Sequence, residues 1–258
     1  KKNIVISIMT EINLPKKSDL KIKTALFNFV KKDSNYKNNF LQSKYNTAFD
    51  GYSYIGQKDS LNQYDTDMLH SFVLSEFQNI ENFPKEFHNF LTEDWKELIA
   101  TVRAIELNII QKLNIPVLTQ LYEDNVISYM MSCNYYPKPI NCESSAKNNI
   151  RLSAHKDVSL FTVFPYGIDK GLSIYNTDKN SIEIGKKEKM ILFPGYFTEF
   201  ITNNKIKALN HQVNLPKDFD SERYSFAIFS IPKPDITFFF AGEKIRSEDY
   251  YEAYLSLF

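Results

Sequence analysis

Three residues stand out for what they could do together. His155 and Asp157 are separated by one residue in Ile150-Arg-Leu-Ser-Ala-His-Lys-Asp157, and His211 follows 56 residues after His155 in Leu209-Asn-His-Gln-Val213. If residues 151–158 are extended, a period of two puts His155 and Asp157 on one face, about 7 Å apart along the chain. Two imidazoles and one carboxylate then fill one side of an octahedral ion and leave the other side open. This donor set suits non-haem Fe(II), whose open positions accept a chelating acid and dioxygen. The usual zinc spacings, CxxC and HExxH, are absent from the chain.

Twelve residues beyond His211 lies Arg223-Tyr-Ser225. On a strand, Arg223 and Ser225 share a face and offer a guanidinium fork and a hydroxyl to one end of a dicarboxylate.

In this order the motifs resemble the Fe(II)/2-oxoglutarate-dependent oxygenases of the isopenicillin N synthase-like superfamily. The resemblance covers about residues 125–240. It rests on Asn134-Tyr-Tyr-Pro-Lys-Pro139, His155-Lys-Asp157, Ser159-Leu-Phe-Thr-Val-Phe164, Gly171-Leu172, Thr202-Asn203, His211-Gln-Val213, Arg223-Tyr-Ser225 and Ile231-Pro232. It implies that His155, Asp157 and His211 bind Fe(II), and that Arg223 and Ser225 hold the distal carboxylate of 2-oxoglutarate. Tyr136 and Asn134 match further cosubstrate contacts. The implied reaction uses O2, splits 2-oxoglutarate to succinate and carbon dioxide, and oxidises a substrate C–H bond by hydroxylation, desaturation or ring closure. Asp157 argues against halogenation, which needs a small residue there. A small carboxylate or amino-acid-derived specialised metabolite is the expected substrate, with Arg151 and Tyr52 as candidate contacts and Tyr54 beside them. Two other readings stay open: an isopenicillin N synthase-like oxidase that does not use 2-oxoglutarate, and a jelly-roll binding module without catalysis.

The elements that must hold these residues follow from periodicity. From residue 125 onward, short apolar runs separated by Gly, Pro, Asn and Lys read as strands at 125–136, 150–154, 158–164, 172–175, 190–193, 197–202, 206–213, 223–231 and 235–240. That many antiparallel strands predict a double-stranded β-helix, or jelly roll. Before it, residues 1–124 read as a mainly helical part. An edge strand is expected at 3–9, a helix capped by Ser18, a turn at 50–56, a short helix at 65–77 and a long helix opened by Thr92 and stopped by Pro116. His70 and His88 fall in these expected helices without a partner at ligand spacing. A helix capped by Ser247 closes the chain within 241–258, and one domain is expected overall.

Composition narrows the partners. The 258 residues carry 31 basic and 31 acidic side chains, and no basic stripe favours nucleic acid. No apolar run approaches the ~18 residues of a membrane span. Cys133 and Cys142 are too few for a disulfide framework, so a reducing, cytoplasmic setting is expected. A monomer acting on a small molecule fits this picture.

Overall fold

A computed structural model describes residues 10–12, 19–47, 49–57, 68–138, 150–175, 180–215 and 221–257. The expected edge strand at 3–9, the Ser18 cap and Cys142 lie outside them.

The chain opens with β1 (Thr10–Ile12), α1 (Asp19–Val30), α2 (Ser34–Asn38), β2 (Gly51–Ser53) and β3 (His70–Ser75). Three helices follow: α3 (Lys85–Glu93), α4 (Trp95–Leu113) and α5 (Pro116–Glu123). Then come β4 (Ile127–Tyr136), β5 (Ile150–His155), β6 (Phe161–Phe164), β7 (Leu172–Tyr175), β8 (Ser181–Glu183), β9 (Met190–Pro194), α6 (Tyr196–Ile201), β10 (His211–Asn214) and β11 (Arg223–Pro232). A hairpin of β12 (Thr237–Phe240) and β13 (Glu243–Arg246) leads into α7 (Ser247–Leu255).

Two antiparallel sheets form the jelly roll. The larger has the order β1-β9-β6-β11-β4-β3-β2 and the smaller β5-β10-β7-β8. The centre of the larger is the ten-residue pairing of β11 with β4, and here a period of two sorts side chains cleanly. Met130, Ser132, Asn134 and Tyr136 on β4, and Arg223, Ser225, Ala227 and Phe229 on β11, face a cavity between the sheets. The intervening Tyr129, Met131, Cys133, Phe226 and Ile228 enter the main core. Phe29 of α1, Phe87 and Phe90 of α3, and Trp95 and Val102 of α4 belong to the same core, so these helices cover the back of the large sheet.

Several boundaries differ from the sequence expectation. Residues 70–75 form a strand, one in from the edge of the large sheet, instead of part of a helix, because His-Ser-Phe-Val-Leu-Ser pairs with β4 along its whole length. His70 is therefore a strand residue, with its Nδ1 hydrogen-bonded to the Tyr52 hydroxyl over 2.8 Å. The helix expected to open at Thr92 starts earlier as α3, after Pro84, and the chain restarts as α4 at Trp95. Thr92 instead lies within the last turn of α3, where its hydroxyl donates back to the His88 carbonyl over 2.8 Å. α4 ends with Asn114 in the left-handed region (φ 51°), and Pro116 opens the further helix α5. Residues 197–202, expected as a strand from their aromatic and branched content, form most of the short helix α6. The first part of the chain also supplies β1, β2 and β3 to the large sheet, so it is not purely helical. In the last segment, β13 precedes the helix, and Ser247 is its first helical residue instead of its cap; Arg246 occupies the cap position.

Candidate active site

The metal-type residues come together where the small sheet opens. β10 and β5 pair so that His211 stands opposite His155, with ring centres 4.5 Å apart. Asp157 lies just beyond the end of β5. Its Oδ1 is 3.2 Å from His155 Nε2 and 3.7 Å from His211 Nε2. One donor atom from each of the three residues falls within 4.8 Å of the others.

The surroundings orient these donors. His155 Nδ1 lies 2.8 Å from the Ser153 carbonyl, and His211 Nδ1 lies 3.2 Å from the Leu209 carbonyl. A carbonyl only accepts, so each Nδ1 is assigned the proton and each Nε2 lone pair is left for the shared centre. Burial disfavours ionisation of Asp157, but His211, His155 and the Thr162 hydroxyl together hold its carboxyl below the usual range. Burial, opposed by Asp157, keeps His211 below the usual histidine value. A charged carboxylate and neutral imidazole at neutral pH are the forms that coordinate a divalent ion. The donor set fits Fe(II) on the chemistry of its ligands.

The loop that carries Asp157 is fixed from three sides. Thr162 Oγ1 donates to Asp157 Oδ2 over 2.6 Å, and Thr162 in turn bonds Ser159 Oγ at 2.7 Å. From α6, Tyr196 N donates to the Asp157 carbonyl (2.7 Å) and Phe197 N to the Ser159 carbonyl (3.0 Å). From α7, the Tyr254 hydroxyl donates to the Lys156 carbonyl over 2.9 Å and the Tyr250 hydroxyl donates to the Val158 carbonyl. Two helices, α6 and α7, thus join Thr162 in positioning one carboxylate.

Across the cavity, the large sheet presents the second group. The β11–β4 register places Arg223 opposite Tyr136 and Ser225 opposite Asn134. Arg223 is 2% exposed, and its guanidinium carbon lies 4.7 Å from the centre of the Tyr136 ring. Its Nε and Nη1 are buried without a hydrogen-bond partner. Unmade charged hydrogen bonds in the interior are costly, so this arrangement calls for an anion. The triad, Arg223, Ser225, Tyr136 and Asn134 all line one cavity of about 130 Å³.

Of the two candidate substrate residues, Tyr52 lies away from the cavity and Arg151 lies beside it, next to Tyr136. Tyr52 is 3% exposed, packs edge-on against Phe29 and bonds His70, which makes it a core residue. Tyr54 is an exposed neighbour of it. Arg151 is buried beside the cavity, with its guanidinium carbon 5.8 Å from the Tyr136 ring centre and Nη2 donating to the Pro137 carbonyl at 3.3 Å. Register shifts in the β5–β10 pairing on both sides of Leu152, between it and His155 and between it and Ile150, break the alternation that would have put Arg151 on the His155 face. His88 bonds the Phe83 carbonyl and takes no part in the site. Gln212, next to His211, bonds Asn214 and receives the Tyr175 hydroxyl within the small sheet.

Sequence reasoning missed Thr162, Tyr250, Tyr254 and the apolar cavity wall of Leu69, Val73, Met130 and Phe229. Thr162 sits five residues after Asp157 inside the motif run 159–164, and a hydroxyl within an apolar strand close to a metal-type carboxylate was the signal available. The tyrosines are some hundred residues away in sequence, and no local pattern connects them to Lys156 or Val158.

Comparison with known proteins agrees with this geometry. The family model of the 2OG-Fe(II) oxygenase superfamily matches residues 127–232. Protein DMR6-LIKE OXYGENASE 1 of Arabidopsis thaliana is 26% identical over 201 residues, which is 76% of this chain and 54% of the relative. The chain therefore spans about half the length of that curated relative. Among solved structures, a full-length protein of Neurospora crassa in complex with alpha-KG superposes with a TM-score of 0.73 at 17% identity, over 99% of this chain and 87% of that one. The dioxygenase for auxin oxidation in rice superposes with a TM-score of 0.68 at 13% identity, over 96% of this chain and 85% of that one. At such identities the structures speak for the fold alone. The motif order, the converging triad and the strands that carry it thus fall within residues 127–232, the part of the chain that is similar to the 2OG-Fe(II) oxygenase superfamily.

Proposed function

We propose that this protein is an Fe(II)- and 2-oxoglutarate-dependent oxygenase that oxidises a C–H bond of a small carboxylate or amino-acid-derived metabolite. The observation that carries the reading is the pairing of a converged His155–Asp157–His211 set with the buried, unpartnered nitrogens of Arg223 in one cavity. One dicarboxylic acid satisfies both ends. Bound Fe(II) would supply activation of dioxygen coupled to oxidative decarboxylation of the cosubstrate.

The chain's own residues do the positioning. His155, Asp157 and His211 would hold the ion from one side, with Thr162 fixing the Asp157 carboxylate. Arg223 and Ser225 would bind the distal carboxylate of 2-oxoglutarate, and Tyr136 and Asn134, opposite them in register, would bound the acid laterally. Leu69, Val73, Met130 and Phe229 would exclude water and hold the apolar part of a compact substrate. Arg151, beside Tyr136, would present a cation to the substrate's acidic group. Tyr52 has no part in this assignment, since it is packed in the core.

The reading is tested by adding Fe(II) and 2-oxoglutarate to the purified chain without oxygen and recording the visible spectrum. A weak charge-transfer band that requires both components, and that Arg223→Ala removes, is the expected result. Fe(II) binding without the band would favour an oxidase that does not use 2-oxoglutarate, and failure to bind Fe(II) would leave a binding module. Candidate acids are then ranked by succinate release, where Arg151→Ala should raise substrate KM without changing turnover of 2-oxoglutarate in the substrate's absence.

A further inference from the structure

Behind the catalytic cavity lies a second one, of about 250 Å³, and Phe49 and Met130 line both. Its remaining apolar wall includes Phe77, Pro234, Tyr251 and Leu255, with Phe49 and Tyr251 meeting edge to face at 5.5 Å. The polar residues facing it are acidic or neutral: Asp50, Asp235, Glu248, Glu252, Asn46 and Thr47. No Lys, Arg or His is among the described residues that line it.

Asp50 distinguishes this pocket from an ordinary acidic patch. It is 1% exposed, yet only Oδ2 is engaged, by the Thr47 hydroxyl, while Oδ1 has no hydrogen-bond partner. Ser75 and Gln78 lie near enough to temper its charge, but burial outweighs them and moves the carboxyl above its usual range. Glu248 is already occupied, receiving Asp235 N at 2.6 Å and the Ser247 hydroxyl at 3.2 Å. The unmet demand is therefore at Asp50, and it is for a donor that carries positive charge and an apolar body.

We propose that this pocket binds a small organic ammonium ion, with its N–H groups donating to Asp50 Oδ1 and its alkyl or aryl part packed among Phe49, Met130, Phe77 and Tyr251. The site is separate from the ion and cosubstrate positions and needs neither to be filled.

The test is calorimetric titration of benzylammonium chloride into the full chain without added iron or 2-oxoglutarate, so its outcome is independent of the catalytic reading. Saturable one-to-one binding is expected, with benzyl alcohol at least tenfold weaker. Asp50→Asn should weaken benzylammonium at least tenfold, and so should Leu255→Trp, which fills the pocket while keeping the carboxylate. Circular dichroism confirms that each variant is folded; if Asp50→Asn does not fold, Leu255→Trp decides. No saturable binding to the unaltered chain, equal binding of benzyl alcohol, or unchanged binding in a folded variant would overturn the proposal.

Discussion

A Cβ atom placed on Gly195 would lie 2.3 Å from the carbonyl oxygen of Ser159 and 2.9 Å from that of Asp157. The close approach lets α6 begin directly against the loop that carries the metal-type carboxylate. Its backbone conformation (φ −98°) is open to any residue, so it is space and not torsional freedom that requires glycine. Gly195→Ala should push Asp157 away from the two histidines and lower affinity for a divalent ion by about tenfold or more, the size expected of a lost supporting contact. Anaerobic titration with Fe(II) would measure it; a variant that binds the ion as tightly as the unaltered chain would show that the loop can yield.

Thr162 acts on the same carboxylate from the other side. Thr162→Val keeps the shape but removes the donor to Asp157 Oδ2, which leaves that oxygen buried with less support. Metal affinity should fall by roughly 10- to 100-fold, and Thr162→Ser should restore most of it. If valine and serine behave alike, the hydroxyl contributes nothing to the site.

The triad was legible because both imidazoles and the carboxylate sit in strands or at their ends, where alternation predicts a common face. That Arg223 and Ser225 share a face, and Asn134 and Tyr136 likewise, was legible for the same reason. What failed was the choice of element where local composition is ambiguous. Phe197-Thr-Glu-Phe-Ile-Thr202 reads as a strand by content, yet the backbone donors of Tyr196 and Phe197 are taken by the 157–159 loop, and the chain coils. His70–Ser75 carried a strand signal that the neighbouring polar residues obscured. Arg151 was misplaced because an irregular β5–β10 pairing leaves no mark in the sequence, and Tyr52 because a tyrosine in a turn says nothing about which layer receives its ring.

Arg223 should be a liability to the empty fold. Its guanidinium is buried with two unpartnered nitrogens, which the ring of Tyr136 offsets only in part. Arg223→Met is expected to raise the Tm of the chain without ligands while removing the stabilisation that 2-oxoglutarate gives in the presence of a divalent ion. Differential scanning calorimetry with and without the acid checks both halves. A lower Tm for the empty variant would mean that the guanidinium stabilises the fold by itself.

Glu106 is a buried acid away from the cavity, and it should make stability depend on pH. On α4, beneath the large sheet, its Oε2 accepts the hydroxyls of Tyr122 (2.8 Å) and Tyr129 (2.7 Å) while Oε1 has no partner. Burial pushes its carboxyl up to about 7 against the donors that favour ionisation. An acid whose folded value lies above its unfolded one of 4.5 binds more protons in the folded state between those limits. Its contribution is therefore complete below about pH 4.5, is lost as pH rises through 7, and changes no further above that. The shift corresponds to roughly 3 kcal/mol over this range. Glu106→Gln removes the ionisation and keeps an acceptor for both tyrosines. Its urea midpoint, compared with that of the unaltered chain at each pH, should gain steadily between pH 5 and 7 and level off above that, since all other groups titrate alike in the two proteins. A constant difference across that range would place the Glu106 carboxyl outside it and remove the assignment.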